Sequence, residues 1–150
     1  MINSVVAGKP VEGSTVVSST NPARLDEVVG EVSFGTAETF LAAAESAKAA
    51  QRGWAAVPAP IRGRAIAHIG RLVEDNKEAL ARLVTAEIGK PYAEALGEVQ
   101  EIIDTCDFFL GEGRRLYGQT VPSEMPDKQL FTHRVPVGAV AVITAGNFPV

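Results

Sequence analysis

The segment from Val137 to Thr144 constrains the fold of this chain more than any other part of the sequence. Its residues read VGAVAVIT, so apolar side chains occur at consecutive positions and not only at alternate ones. A strand with two hydrophobic faces is typical of the centre of a parallel sheet that helices cover on both sides. The segment therefore predicts an α/β fold with this strand inside the sheet.

Four amphipathic helices are predicted before that strand, because apolar residues recur there at helical spacing. Their boundaries are marked by residues that helix ends prefer. These are Thr36 and Gly53 for the first helix, Pro58 and Asn76 for the second, Gly89 for the end of the third, and Pro91 before the fourth. Residues 1 to 35, rich in Val, Ser, Thr and Gly, predict β-hairpins and loops. The proline-containing stretch from 118 to 136 predicts an extended arm, with a strand or two near Lys128 to Arg134.

The fourth helix has the clearest periodicity, with an apolar stripe that runs from Tyr92 to Leu110. Its opposite face carries five carboxylates: Glu94, Glu98, Glu101, Asp104 and Asp107. Enclosed carboxylate pairs can perform acid–base catalysis. Regular acidic spacing on the polar side of a helix more often forms a solvated surface, and we adopt that interpretation.

Composition excludes several classes of function. The net charge is −4 and the basic residues are scattered, so the sequence does not predict a nucleic-acid partner. The longest apolar run is about half the length that a bilayer crossing requires, and no membrane span is predicted. One cysteine cannot build a disulfide framework, and the first residues lack the features of a signal peptide, so we expect a cytoplasmic protein.

Most candidates for chemistry have a simpler explanation. Cys106 lies on the apolar stripe, which predicts a core residue and not a nucleophile. His68 and His133 stand alone in the sequence, so no metal site is predicted. The stretch GEGRRL at 111 to 116 begins like a dinucleotide-binding motif, but it follows a predicted helix where that motif requires a strand.

The remaining candidate site follows the apolar segment, at Ala145, Gly146 and Asn147. Open parallel sheets bind ligands beyond the carboxyl ends of their strands. An Asn amide there can donate a hydrogen bond to an oxygen that becomes negative during a reaction. On composition alone, Gly-Asn before Phe-Pro also predicts an ordinary turn, and the residues leave both alternatives open.

Four stretches give the chain a resemblance to the NAD(P)-dependent aldehyde dehydrogenase superfamily. They are STNPARLDEVVGEVSFGT near the start, EIGKP at 87 to 91, YGQTVPSE at the start of the arm, and RVPVGAVAVITAGNFPV at the end. The last is the most specific, because the family typically shows an Arg-x-Pro-x-Gly-Val strand that leads into Pro-Trp-Asn-Phe-Pro. This chain departs from that pattern in having Ala145-Gly146 where the family has Pro-Trp.

The resemblance implies the domain organisation. Residues 1 to 117 are expected to form the hairpins and helices that flank a Rossmann-type cofactor domain. Residues 118 to 136 are expected to form the first part of an oligomerisation arm, and 137 to 150 the first strand of the Rossmann-type sheet. The complete enzyme would be a homodimer or a homotetramer of longer chains.

The resemblance also implies a reaction, the oxidation of an aldehyde or semialdehyde to a carboxylic acid with NAD or NADP. Asn147 matches the asparagine that helps to hold the oxyanion, and Ile143, Thr144, Ala145 and Gly146 match residues that line the nicotinamide side of the cofactor pocket. The nucleophilic cysteine and the general-base glutamate of the family have no match here, so we expect the 150 residues alone to be inactive. The alternative hypothesis is a self-contained helical interaction domain without catalysis.

Overall fold

A computed structural model describes all 150 residues, and it contains four helices and six strands. In chain order they are β1 (Ser4–Val6), β2 (Lys9–Val11), β3 (Thr15–Asn21), β4 (Arg24–Phe34), α1 (Ala37–Ala56), α2 (Ala59–Asp75), α3 (Lys77–Ile88), α4 (Tyr92–Glu112), β5 (Thr120–Val121) and β6 (Leu130–Phe131). The strands form three antiparallel pairs, β1 with β2, β3 with β4, and β5 with β6. The predicted hairpins and four helices are therefore confirmed. In the arm, β6 lies within the predicted range Lys128 to Arg134, whereas β5 lies before it.

The first helix begins where the sequence predicts. The Thr36 hydroxyl accepts a hydrogen bond from the Thr39 N–H at 3.3 Å, and the Thr39 hydroxyl accepts one from the Thr36 N–H at 3.1 Å. A hydrogen bond with the Thr36 side chain is the main reason why the pKa of Glu38, in the first turn, lies below its ordinary value. Glu38 therefore supports the helix at neutral pH, and that support is lost as the pH falls through the lowered pKa.

Helix α1 ends at Ala56, beyond the predicted end at Gly53. Gly53 keeps helical geometry, and the helix stops because Val57 precedes Pro58 and is extended, with φ −67° and ψ 127°. Helix α3 ends as predicted, because Gly89 takes the left-handed conformation with φ +74°.

The core lies where α4 packs against α2 and α3. Ala81, Val84, Ala95 and Val99 form its buried cluster between α3 and α4. On the other side, Gly70 of α2 lies against Cys106 of α4, and a Cβ placed at Gly70 would lie 2.8 Å from the Cβ of Cys106. Cys106 is buried in this contact, which confirms it as a core residue.

Much of the apolar surface remains uncovered. The apolar stripe of α4 is buried or half-buried as far as Cys106, whereas Phe109 and Leu110 are exposed, so the prediction of a buried stripe is wrong at its end. Only 12 residues are buried, and the accessible surface is 11,266 Å². A compact protein of this mass exposes about 7,300 Å².

The four helices were also compared with the requirements for a membrane span. None of them has both the length and the apolar character needed to cross a bilayer.

The apolar segment 137 to 144 lies outside the three strand pairs and is exposed, with Ile143 95% accessible. A central strand needs neighbours on both edges, and none of the six strands pairs with this segment. Its role as the first strand of a Rossmann-type sheet therefore stays a prediction, as do the boundaries of the other domain segments.

Close packing of α2 on α4 should make Gly70 intolerant of a side chain. We expect Gly70→Ala to lower the free energy of unfolding by about 1–2 kcal/mol, because the added methyl group forces the helices apart. Gly97→Ala is the matched control on α4, since a Cβ there meets no atom within 4 Å. It should raise the free energy by up to about 1 kcal/mol through helix propensity. Urea unfolding measures both, and equal stabilisation by the two substitutions would contradict the close packing.

Candidate active site

Three of the five predicted site residues, Ala145, Gly146 and Asn147, lie in a tight turn, and Ile143 and Thr144 directly precede it. The N–H of Phe148 donates to the carbonyl of Ala145 at 3.1 Å, so Gly146 and Asn147 occupy the two central positions. The turn predicted from composition is thus present. A turn and a binding site are compatible here, because binding residues often lie on turns that follow an extended segment.

The five predicted residues, Ile143, Thr144, Ala145, Gly146 and Asn147, are all exposed. The Asn147 side chain has no hydrogen-bond partner among the 150 residues, so both of its amide hydrogens are available to a ligand. A Cβ at Gly146 would meet no atom within 4 Å. The turn therefore offers a free amide donor beside open space.

One distant side chain reaches this turn. The Lys90 ammonium donates to the carbonyl of Asn147 at 2.8 Å and lies 5.2 Å from the centre of the Phe148 ring. Lys90 directly follows Gly89, whose left-handed conformation ends α3. Its position between the ends of two packed helices gives the turn a fixed attachment to the helical core.

Lys90 also forms an ion pair with Glu98 of α4. The pair is largely removed from water, since the side chains of Lys90 and Glu98 are 18% and 8% exposed. One carboxylate oxygen of Glu98 accepts from Lys90, and the other is buried without a partner. Such a pair fixes the direction of the Lys90 side chain more firmly than a pair on the surface.

The prediction that Glu98 belongs to a solvated acidic face is wrong. The other four carboxylates of that face are exposed, as predicted. At about 100° per residue, Glu98 lies roughly 95° and Asp107 roughly 85° from the centre of the apolar stripe, and the other three carboxylates lie roughly 130° or more away. The angle from the stripe therefore does not separate Glu98 from the exposed Asp107, and nothing in the helical pattern predicted the burial of Glu98. Its partner was not predictable, because Lys90 precedes the helix.

The other candidates add nothing to this site. The His133 ring packs edge-on against Phe131, and no group of three or more His, Cys, Asp or Glu side chains could hold a metal ion. An apolar groove of about 360 Å³ lies between α2 and the end of α4. Trp54, Ile66 and Phe109 contribute to its walls, and none of the five predicted site residues does.

Comparison with known proteins gives a consistent result. Residues 10–150 match the aldehyde dehydrogenase family. Aldehyde dehydrogenase family 7 member A1 of Pisum sativum is 39% identical over 148 residues, which are 99% of this chain and 29% of that protein. Glutarate-semialdehyde dehydrogenase of Pseudomonas putida is 40% identical over 139 residues, 92% of this chain and 28% of that protein.

The fold agrees with this relationship. The crystal structure of an NADP-dependent enzyme from E. coli superimposes with a TM-score of 0.93 and 34% identity, over 98% of this chain and 31% of that one. This match confirms the α/β fold class predicted from the sequence. The chain spans about three tenths of the length of the relatives that it matches.

Replacing one residue of the Lys90–Glu98 pair and replacing both should have different effects on the free energy of unfolding. Lys90→Met leaves the Glu98 carboxylate buried without a counter-ion, and we expect it to lower the free energy of unfolding by about 3 kcal/mol. Replacing both residues by Met should recover most of that loss, because two apolar side chains of similar volume need no compensating charge.

Arg115→Met is the matched control, because Arg115 pairs with Glu112 at a more exposed position. It should cost less than about 1 kcal/mol. Urea denaturation of the four proteins makes the comparison. A double variant as unstable as Lys90→Met would contradict the buried pairing.

Proposed function

The chain belongs to the aldehyde dehydrogenase family, and from that premise we propose that it forms the opening part of an enzyme that oxidises an aldehyde to a carboxylic acid. The observation that carries the proposal is the family match over residues 10–150. The same match favours this function over a self-contained interaction domain. The two relatives are more than three times as long as this chain, and for that reason we expect the 150 residues to be inactive alone.

Asn147 is the proposed catalytic residue in this part of the enzyme. Its side-chain amide would donate a hydrogen bond to the aldehyde-derived oxygen as negative charge develops there. The free amide at the Ala145–Phe148 turn supports this role, because no other group of the chain competes for it. Fixed donors of this kind stabilise the developing charge without having to reorient during the reaction.

Residues 143 to 146 are the proposed contribution to the cofactor site, for NAD or NADP. Among their backbone polar groups only the Ala145 carbonyl is engaged, by the Phe148 N–H. The remaining N–H and carbonyl groups and the open side of Gly146 suit the close approach of a nicotinamide ring. When bound, the cofactor supplies the acceptor for a hydride. The NADP-dependent E. coli enzyme supports this choice of cofactor.

The nucleophile must come from residues outside these 150. A thiolate that attacks an aldehyde has to be accessible. Cys106 is buried between α2 and α4, and its Cβ is the nearest atom to a Cβ placed at Gly70. Cys106 therefore has a packing role only.

A semialdehyde is the proposed substrate. The 40% identical relative from Pseudomonas putida is a glutarate-semialdehyde dehydrogenase. The chain has Ala145-Gly146 before Asn147, and the absence of a large side chain at Gly146 leaves space beside the amide donor. That space would leave room for the remainder of a semialdehyde chain.

The arm, residues 118 to 136, is proposed to mediate a homodimer or homotetramer. Its strands β5 and β6 form a two-stranded ribbon in which Val121 and Phe131 are exposed. A two-stranded ribbon is marginally stable by itself, and a partner subunit would cover these side chains. A cytoplasmic location is proposed because one cysteine cannot form a disulfide framework within the chain.

Loss of the Asn147 amide should reduce turnover selectively. In the full-length protein, we expect Asn147→Ala to lower kcat for aldehyde oxidation about a hundredfold or more, because the oxyanion loses its donor. The Kd of the cofactor should change little. Steady-state kinetics and cofactor titration measure the two effects.

Asn76→Ala is the matched control, since Asn76 is an exposed asparagine whose amide donates to the Leu72 carbonyl. It should leave kcat unchanged. An unchanged kcat in Asn147→Ala would overturn the assignment of Asn147.

A further inference from the structure

Two hydrogen bonds hold the same peptide group. The peptide unit between Asn147 and Phe148 has one carbonyl and one N–H. Lys90 donates to the carbonyl at 2.8 Å, and the N–H donates to the Ala145 carbonyl at 3.1 Å. Because the Asn147 carbonyl and the Phe148 N–H are both hydrogen-bonded, the peptide plane between these residues cannot rotate freely about the Asn147 Cα. The Asn147 side chain keeps only its own rotamers as degrees of freedom.

We propose that Lys90, held by Glu98, is a positioning residue that orients the Asn147 amide. This inference rests on the proposed function, because it concerns how the proposed oxyanion donor is held. Lys90 does not touch the reacting atoms. It acts through the backbone of Asn147 and through the ring of Phe148.

The chemistry of the contacts favours a cation at this position. A carbonyl oxygen and the face of an aromatic ring are both electron-rich, and one ammonium group attracts both. Lys90 contacts the Asn147 carbonyl and the Phe148 ring on one side and the Glu98 carboxylate on the other. An apolar side chain of similar length, such as Met, has no N–H to donate to either oxygen and no positive charge for the ring.

The attachment also makes the turn part of the rigid core. Glu98 lies on α4 beside Val99, which is fully buried. Lys90 connects this part of α4 to a turn 57 residues further along the chain. Without that link, the Ala145–Phe148 turn has no hydrogen bond to any helix. Orientation of a donor within about 1 Å can change rates by about a hundredfold.

The test is a double-mutant cycle in the full-length protein. The first change is the Lys90→Met, Glu98→Met pair, which removes the cation without leaving a buried charge. The second change is Asn147→Ala. We expect the Met pair to lower kcat about tenfold or more with little change in KM for aldehyde or cofactor. In the Asn147→Ala background the Met pair should have no further effect, because both contacts of Lys90 influence the reaction only by orienting the Asn147 amide.

Two further variants complete the set. Lys90→Arg keeps a cation that can donate to both Glu98 and the Asn147 carbonyl, so it should retain most of kcat. Lys77→Met is the matched control, because the Lys77 ammonium donates to Gln100 of α4 and has no contact with the turn. It should leave kcat unchanged.

A second readout does not depend on activity. Hydrogen exchange followed by mass spectrometry reports on the Phe148 amide, which is protected by the turn. In the Met pair, the peptide that contains residues 145 to 150 should exchange about tenfold faster, whereas Lys77→Met should exchange at the original rate.

The outcomes separate this inference from the proposed function. Positioning by Lys90 is overturned if the Met pair leaves kcat unchanged. It is also overturned if the Met pair lowers kcat by the same factor with Asn147 in place and in the Asn147→Ala background. If Asn147→Ala alone leaves kcat unchanged, the proposed catalytic role of Asn147 fails, and the exchange experiment decides whether Lys90 holds the turn. Unchanged exchange in the Met pair overturns the anchoring itself.

Discussion

The packing of α4 against two helices at once is the constraint on which the rest of this structure depends. Its face from Ala95 to Val99 lies against α3, and Cys106 lies against Gly70 of α2. A single residue, Glu98, extends the influence of this helix to the carboxyl-terminal turn, because it fixes Lys90 and Lys90 fixes Asn147. The helical core and the proposed active site are therefore connected by one buried ion pair.

Local chemistry made the helices predictable. Thr36 can accept from the first turn of a helix, and Gly89 can take a left-handed conformation, so both ends were visible in the sequence. The end of α1 was missed because the restriction that Pro58 places on Val57 outweighs the flexibility of Gly53. Such effects act within a few residues, which is why sequence patterns report them well.

Long-range contacts were much less predictable. The partner of Glu98 lies outside its helix, and the contact from Lys90 to Asn147 crosses 57 residues. No periodicity reports a contact of that kind. For Asn147, the sequence indicated the residue through a family resemblance and the turn through its composition, whereas the lysine that holds the turn became visible only in the structure.

Gly89 has a consequence for how this protein tolerates change. Its φ of +74° already disfavours every residue with a side chain, and a Cβ there would lie 2.9 Å from the Cγ of Pro22, in the turn between β3 and β4. A substitution would disturb the amino-terminal hairpin and the neighbouring Lys90 together. In a library that carries all twenty residues at position 89, only glycine should be recovered in a functional protein. Any other residue there should lower stability and activity together.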